Sequence, residues 1–331
     1  MLIKGNPEVK FEIIRGMTSR DNNLLNISML CEIAGVSRSG YYGWLKAEPK
    51  RQEQERQDQS DFELVIKAYR YRGFDKGARG IHMRLLHQTP IVIMNVKKIR
   101  RLMKKYNLIC PIRHANPYRR AMIAMRSNNV APNLLNRQFR AYGPRKVLLT
   151  DITYLFYGQV QKCYLSVIMD AYTKQVLAHV VSSSFEVDFV LETVNNLVRD
   201  HNVSLTAETL INSDQGCHYT SYRFIQIIKD SELRQSMSRK ANCWDNAPQE
   251  SFFGHMKDNV DVSHSSSFEE VAAVVDDWID YYNNGRYQWM LARLSPNEFY
   301  EYIQTGKYPL NYPAPKTQGT LLGEENTGAN E

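Results

Sequence analysis

Long apolar runs, closely spaced cysteines and a secretion signal are all missing from this 331-residue sequence. No run approaches the ~18 apolar residues of a membrane-spanning helix, and the N-terminus lacks an apolar core followed by a small-residue cleavage site. The five cysteines are odd in number and at least 26 positions apart, which argues against a disulfide framework and a Cys-x-x-Cys metal site. We therefore expect a cytoplasmic protein with reduced thiols and no membrane partner.

Acidic residues are absent from residues 76–150, a stretch that contains 17 Lys and Arg. The formal net charge of the whole chain is only +7, so the charge is strongly polarised along the sequence. A long cationic stretch without acids is typical of proteins that follow a phosphate backbone, because each neutralised phosphate releases condensed counterions. A nucleic acid is the predicted partner, and a solvated basic face is the alternative.

The N-terminal part of the chain predicts small helical units. Over residues 1–60 we expect a helix-turn-helix-like segment and a linker, because apolar residues at helical spacing lie on both sides of Gly35 and Ser37 can cap the second helix. Many helical hairpins share this pattern without contacting DNA, so a purely structural unit remains possible. Residues 61–115 predict a basic helical DNA-binding domain, followed by a proline-broken basic linker over 116–145. The basic side chains predicted to contact DNA are Lys97, Lys98, Arg101, Lys104, Lys105, Arg119 and Arg120.

The hydrophobic period changes at Lys146. Three β-branched and apolar runs, near residues 147–154, 163–169 and 176–181, predict an antiparallel meander. Helices and strands then alternate, which predicts a mixed α/β sheet with helices on its faces. We expect this domain to span 146–312 and a disordered tail to span 313–331.

Three carboxylates stand at informative positions. Asp151 lies within the first predicted strand, Asp214 directly follows the fourth strand, and Glu250 lies in the first turn of a helix. Asp214 can be a simple turn residue and Glu250 can serve the helix dipole, but an acid among apolar strand residues needs a cation, a metal or strong hydrogen bonds. Lys257 follows Glu250 by seven positions and returns to the same helix face. Oxygen ligands without His or Cys favour Mg²⁺ or Mn²⁺, and a pair of such ions catalyses phosphodiester cleavage or transfer.

Other residues allow two interpretations. Asp170 falls between the second and third strands, where a hairpin-turn acid is the simplest interpretation. The aromatic stretch from Tyr281 to Trp289 can stack unpaired bases or pack as helix core. Neither interpretation of that stretch is favoured by the sequence.

The ordered motifs resemble one known family, the DDE transposases of bacterial insertion sequences, specifically the second reading frame (OrfB) of insertion-sequence family three. The matching motifs are 150–154 (TDITY), 213–219 (SDQGCHY), 243–253 (CWDNAPQESFF), 281–284 (YYNN) and 294–299 (LSPNEF). Thirty-five residues separate Asp214 from Glu250, which is the family's spacing. Ala241 and the segment 287–289 depart from the common pattern, but neither touches the three acids.

The resemblance implies a fold and a mechanism. The fold is a ribonuclease H-like (retroviral integrase) core with a mixed five-stranded α/β sheet. In the mechanism, Asp151, Asp214 and Glu250 hold two Mg²⁺ ions, with Mn²⁺ as a substitute. The reaction is hydrolysis at insertion-sequence ends followed by strand transfer, with Lys257 and His218 near the DNA.

The resemblance also implies partners. These are the terminal inverted repeats and target DNA, a second copy of the chain in at least a dimer, and the upstream-frame protein OrfA or a fusion with it, in the bacterial nucleoid. The alternatives are a non-catalytic DNA-binding protein from a decayed element or a transposition regulator, and a plain ribonuclease H-like nuclease.

Overall fold

The computed structural model describes residues 6–20, 24–73, 76–110, 142–158, 160–238 and 247–315. The chain forms two compact units, one of Met1–Ala68 with Arg100–Leu108 and the other of Tyr69–Ile99 with Ile109–Glu331. Most of the predicted linker, with Arg119 and Arg120, and the tail from residue 316 lie outside the described residues. Among the described helices, none is both long enough and apolar enough to cross a bilayer.

The units do not follow the predicted domain boundaries at residues 60 and 115. Residues 69–99 belong to the unit that contains the sheet, whereas residues 100–108 belong to the N-terminal unit.

The described residues form eleven α-helices: α1 (Pro7–Thr18), α2 (Ile27–Ala34), α3 (Arg38–Lys46), α4 (Glu48–Tyr69), α5 (Ala78–Leu86), α6 (Val96–Lys105), α7 (Asp188–His201), α8 (Tyr222–Asp230), α9 (Ala247–Asn259), α10 (Phe268–Asn284) and α11 (Pro296–Thr305).

Helices α1, α2 and α3 pack around a small apolar core in the N-terminal unit. The core side chains are Phe11, Ile14, Leu30, Cys31, Ala34 and Tyr41. Gly35 adopts a left-handed conformation (φ 65°) at the end of α2, and the Ser37 hydroxyl accepts the Gly40 N–H at 3.0 Å at the start of α3. A Cβ on Gly40 would lie only 2.9 Å from Ser37 Oγ. A tight turn at Gly35 therefore joins α2 to α3.

A buried acid holds part of the basic stretch within the N-terminal unit. Residues 50–60, predicted as a linker or an exposed helix, are part of α4. Asp58 on α4 is 1% exposed, and it accepts two hydrogen bonds of 2.6 Å from Arg101 and one of 2.8 Å from Lys105. The hydrogen bonds from the Arg101 guanidinium hold the pKa of Asp58 well below its usual range. Arg101 and Lys105 are thus engaged in an internal ion pair.

The second unit contains a mixed five-stranded sheet in the order β3-β2-β1-β4-β5. Its strands are β1 (Val147–Tyr157), β2 (Gln161–Asp170), β3 (Val176–Ser182), β4 (Leu210–Ser213) and β5 (Arg234–Met237). The first three pair antiparallel, and β4 is parallel to both β1 and β5. The predicted meander and mixed sheet are confirmed.

Helices cover both faces of this sheet. One face packs its apolar side chains, among them Leu155 and Val167, against Phe252 of α9 and Trp278 of α10. The other face packs Leu148 and Ile168 against α7 and α8. Strand alternation therefore sends successive residues of β1 into two different cores.

The segment 69–99 is anchored to the C-terminal end of the sheet unit. Arg84 of α5 donates to the Gly285 carbonyl at 2.6 Å, and the rings of His87 and Tyr287 stack with centroids 3.4 Å apart. Tyr281 and Tyr282 are each 4% exposed. The aromatic stretch 281–289 is thus used for packing, which decides between the two interpretations that its sequence allowed.

Asp170 is a buried structural acid and not a simple hairpin-turn residue. It is 0% exposed and accepts hydrogen bonds from the Arg145 backbone N–H and the Arg145 guanidinium, both at 3.1 Å. A third bond comes from the Tyr172 backbone N–H at 2.8 Å. The pair joins the start of β1 to the end of β2.

We expect Asp170→Ala to lower the free energy of unfolding by about 3–5 kcal/mol, because it leaves the Arg145 guanidinium buried without its counter-charge. The matched control is Glu208→Ala, which breaks the exposed pair with Lys146, the neighbour of Arg145. That control should cost less than about 1 kcal/mol. Urea unfolding followed by circular dichroism measures both, and equal losses would contradict this role for Asp170.

Candidate active site

The parallel pairing of β1 with β4 brings Asp151 and Asp214 to the same place. Leu149 is paired with Asn212 in this ladder. Continuing the register by two residues sets Asp214 opposite Asp151, and the two-residue repeat of strands keeps both side chains on one face. The pairing of β1 with β4 ends at Leu149. Asp151 therefore lies where the edge of β1 is no longer paired with β4.

A tight turn presents Asp214 to solvent. Its carboxylate Oδ1 accepts the Gly216 N–H at 2.8 Å, and a Cβ on Gly216 would lie 2.9 Å from the same oxygen. A larger residue at position 216 would therefore have to displace the Asp214 carboxylate. The Gln215 side chain donates to the Ser238 carbonyl at 3.0 Å and ties the turn to the end of β5.

The third acid is delivered by the start of α9. Gln249 is 0% exposed, and its Nε2 donates to the Val167 carbonyl at 3.4 Å. Val167 is the register partner of Asp151 across β1 and β2. The next residue along α9, Glu250, is exposed and lies on the side of the sheet that carries Asp151.

The three acids act on one another electrostatically. Burial, together with the negative charges of Asp214 and Glu250, raises the pKa of Asp151 to about 7 against the opposing hydrogen bond from the Ile152 N–H. Tyr219, which is 1% exposed, has its pKa raised mainly by burial and also by the charges of Asp151 and Asp214. A carboxyl poised near neutrality beside two other acids is typical of functional sites.

The three carboxylates are suitable ligands for a hard divalent cation, although their side chains are not close enough together to coordinate one ion. Among the described residues, no group of three or more His, Cys, Asp or Glu side chains is arranged to hold a metal ion. Electrostatic interaction between charges acts over longer distances than metal coordination. The absence of such a group is therefore compatible with the raised pKa of Asp151. The donors are carboxylate oxygens alone, which is the ligand set of Mg²⁺ and Mn²⁺.

The predicted DNA-contacting residues have different surroundings. Lys257 is exposed on α9, with its ammonium 4.9 Å from the centre of the Tyr154 ring, and partial burial lowers its pKa. Lys97 and Lys104 are exposed and Lys98 is partly exposed. Arg101 and Lys105 are engaged with Asp58.

His218 requires a correction. The sequence placed it near DNA, but the side chain is 5% exposed and its Nε2 lies 2.8 Å from the Phe185 carbonyl. Its ring also packs against Phe185 at 4.2 Å. Because a DNA contact requires a reachable side chain, His218 supports the turn that follows Asp214 instead.

Two residues of the site were missed by sequence reasoning. Gln249 anchors the helix that carries Glu250, and Tyr219 lies within the charge field of Asp151 and Asp214. Both residues lie inside motifs in which the neighbouring acids, Asp214 and Glu250, were the predicted functional residues. A buried amide or phenol gives no periodicity signal, so only the tertiary contacts identify them.

Comparisons with known proteins place the chain in a family. Two family descriptions, both "Integrase core domain", match residues 141–243 and 231–296. The Shigella sonnei "Insertion element IS600 uncharacterized 31 kDa protein" is 32% identical, and the alignment covers 82% of this chain and 97% of that protein. The Escherichia coli "Transposase InsF for insertion sequence IS3A" is 28% identical, over 83% of this chain and 93% of that protein.

A solved structure is also similar. The magnesium complex of the HTLV-2 integrase catalytic core has a TM-score of 0.34 and 14% identity, over 48% of this chain and 99% of that chain. The sheet order with acids on β1, after β4 and on α9 defines an integrase-type polynucleotidyl transferase. The chain belongs to the DDE transposases of bacterial insertion sequences, within insertion-sequence family three. Its activity is therefore DNA transposition.

The raised pKa of Asp151 predicts a pH-dependent stability without divalent metal. The folded pKa of about 7 lies above the usual aspartate value of 3.8, so the stabilising contribution is fully present below 3.8, is still mostly present at pH 4 and is lost as pH rises through 7. Asp151→Asn removes this loss. We expect the variant to match the parent at pH 4 and to exceed it by about 2–4 kcal/mol at pH 8.

The measurement is urea unfolding in EDTA across this pH range. Glu192→Gln, on the exposed face of α7, is the control and should give a curve parallel to that of the parent. Parallel curves for Asp151→Asn as well would mean that Asp151 ionises like an ordinary surface acid, contrary to the coupling described here.

Proposed function

We propose that this transposase cuts DNA at the ends of its insertion sequence and joins the freed 3′ ends to target DNA, using Asp151, Asp214 and Glu250 to hold two Mg²⁺ ions. Mn²⁺ is the expected substitute. The observation that supports this assignment is the charge of Asp214 and of Glu250 at Asp151, which adds to burial in raising the pKa of Asp151. When bound, such a pair of ions activates an attacking oxygen and stabilises the leaving oxygen at phosphorus.

Asp151 has to be ionised to serve as a ligand. At its pKa of about 7 a substantial fraction is protonated at neutral pH, so cation binding and proton release are coupled. Asp214 and Glu250 contribute two further carboxylates from separate elements, a turn and a helix. Gln249 positions Glu250 through its hydrogen bond to β2.

Lys257 is proposed to contact a phosphate next to the cut. It lies two turns after Glu250 on α9, and its pKa is lowered by partial burial and not by a nearby cation. An ammonium on the same helix face as a catalytic acid can orient the scissile strand. Lys97, Lys98 and Lys104 of α6 are the further candidates for phosphate contacts.

The N-terminal unit is proposed to recognise the terminal inverted repeats. Helix α3 follows the turn at Gly35 and exposes Arg38, Ser39 and Tyr42. This is the position of a recognition helix in helix-turn-helix proteins. Because two ends must be cut together, we propose that the chain acts on DNA as at least a dimer, with the upstream-frame protein OrfA as a partner or fusion.

Asp214→Asn and Glu250→Gln should each reduce metal-dependent nicking of DNA that carries the element's ends by about 1000-fold or more. The physical reason is the loss of several kcal/mol of charge stabilisation at the transferring phosphate. Gel assays of end-labelled DNA in Mg²⁺ measure this loss. Activity of the parent should rise with pH through about 7, as Asp151 ionises.

Glu192→Gln, on the exposed face of α7, is the control and should cut like the parent. Strand-transfer products distinguish a transposase from a plain nuclease. Tight DNA binding by the parent with no cutting in Mg²⁺ or Mn²⁺ would favour the non-catalytic alternative.

Arg38→Ala with Tyr42→Ala should reduce the preference for end DNA over random duplex by roughly 10- to 100-fold, because each lost base contact costs about 1–3 kcal/mol. Competition binding with the two duplexes measures the ratio. Arg56→Ala on α4 removes the same charge from an exposed position and should leave the ratio unchanged. An unchanged ratio in the double variant would show that α3 is only a packing helix.

A further inference from the structure

The β1–β2 hairpin extends well beyond the rest of the sheet. Strand β4 pairs with β1 only through residues 147–149, whereas β1 and β2 remain paired out to Tyr157 and Gln161. On one face of this extension, Leu155, Tyr157 and Cys163 are buried under α9 and α10. Successive side chains of a strand point to opposite faces of the sheet, so the opposite face of the hairpin is expected to carry polar residues that face water.

That opposite face is aromatic. Tyr154 is 48% exposed and Phe156 is 59% exposed. Phe185, which follows β3, is 50% exposed and packs on the ring of Tyr164 with centroids 4.6 Å apart. Large exposed aromatic side chains that neighbour one another mark a binding surface more often than a solvent-facing strand. We call Tyr154, Phe156, Lys162, Tyr164 and Phe185 the aromatic platform.

A lysine stands among the rings of the platform. Lys162 is paired with Phe156 across the hairpin, and its ammonium lies 4.4 Å from the centre of the Tyr154 ring and 5.3 Å from that of Tyr164. Lys257 of α9 approaches Tyr154 at 4.9 Å. The platform thus combines ring faces with two ammonium groups.

The charge of the β1–β2 hairpin favours an anionic ligand. No Asp or Glu occurs between Asp151 and Asp170 in the sequence, and Asp170 is buried in its pair with Arg145. Aromatic rings with interleaved cations are the combination that binds single-stranded nucleic acid, since the rings stack on bases and the ammonium groups meet phosphates. An apolar protein partner would instead have to bury Lys162.

The platform begins next to the catalytic acids. Tyr154 follows Asp151 by three residues, about 10 Å along the strand. It points to the opposite face of β1, but the edge of β1 is not paired with β4 beyond Leu149. Lys257 reaches Tyr154 from the helix of Glu250. At the other end, Phe185 contacts His218 beside the turn of Asp214.

We propose that the aromatic platform binds unpaired nucleotides of the DNA substrate next to the scissile phosphate, with Tyr154 and Phe156 stacking on bases and Lys162 contacting the backbone. This inference rests on the proposed function, because it takes the three acids as the place where the strand is cut. It gives the exposed aromatic residues of the hairpin a stacking function that the buried Tyr281 and Tyr282 do not have.

The test is the affinity of the full-length chain for fluorescein-labelled dT12, measured by anisotropy in EDTA. Tyr154→Ala with Phe156→Ala should weaken binding of dT12 at least 10-fold, because base stacking on an aromatic ring is worth about 1–3 kcal/mol. A blunt 12-base-pair duplex should lose less than about threefold, since its bases are not available to stack. Lys162→Gln should reduce the salt dependence of dT12 binding.

Tyr222→Ala is the matched control, because Tyr222 is 77% exposed on α8 outside the platform. It should bind dT12 like the parent, and the thermal unfolding midpoint of all variants should stay near that of the parent. Tyr154→Phe with Phe156→Tyr should keep the affinity. Unchanged dT12 binding by the double Ala variant overturns the proposal, and so does a defect confined to dimerisation, which would make the platform an interface between copies.

The binding assay is independent of cutting. Asp214→Asn should bind dT12 in EDTA like the parent even though it cannot cut. A failure of the catalytic assignment and a failure of the platform therefore give different results.

Discussion

The short parallel pairing between β1 and β4 is the contact on which the candidate site depends. It covers residues 147–149 of β1 and ends two positions before Asp151. Because the strands are parallel and adjacent, Asp151 and Asp214 leave the ladder at the same level and on the same face. Burial of Asp151 and, after it, the nearby charge of Asp214 raise the pKa of Asp151 to about 7.

Buried polar contacts hold the elements around this pairing. Gln249 fixes the start of α9 to the backbone of β2, and Gln215 fixes the turn of Asp214 to the end of β5. The Asp170–Arg145 pair joins the ends of β1 and β2. Each acid of the site is thus carried by a different element, and each element has its own anchor.

Much of the architecture could be predicted from the sequence. The alternation of apolar residues after Lys146 predicted the sheet, and motif spacing predicted that Asp151, Asp214 and Glu250 act together. The role of the basic residues could not be predicted so well, because charge counting does not show which side chains are paired. Arg101 and Lys105 both pair with Asp58, which lies over 40 positions away in the sequence. His218 was assigned to DNA by its place in a motif, but its neighbours bury it.

The sequence by itself determined the local elements and the identity of the chemistry. Helix caps and strand patterns depend on residues close together in the chain, and so they can be predicted from it. Only the tertiary structure decided which faces are covered. Tyr154 and Tyr282 belong to the same aromatic class, but one lies on the uncovered face of a hairpin and the other is buried under packed helices. Burial depends on contacts between residues distant in the chain, and no local pattern of amino acids encodes them.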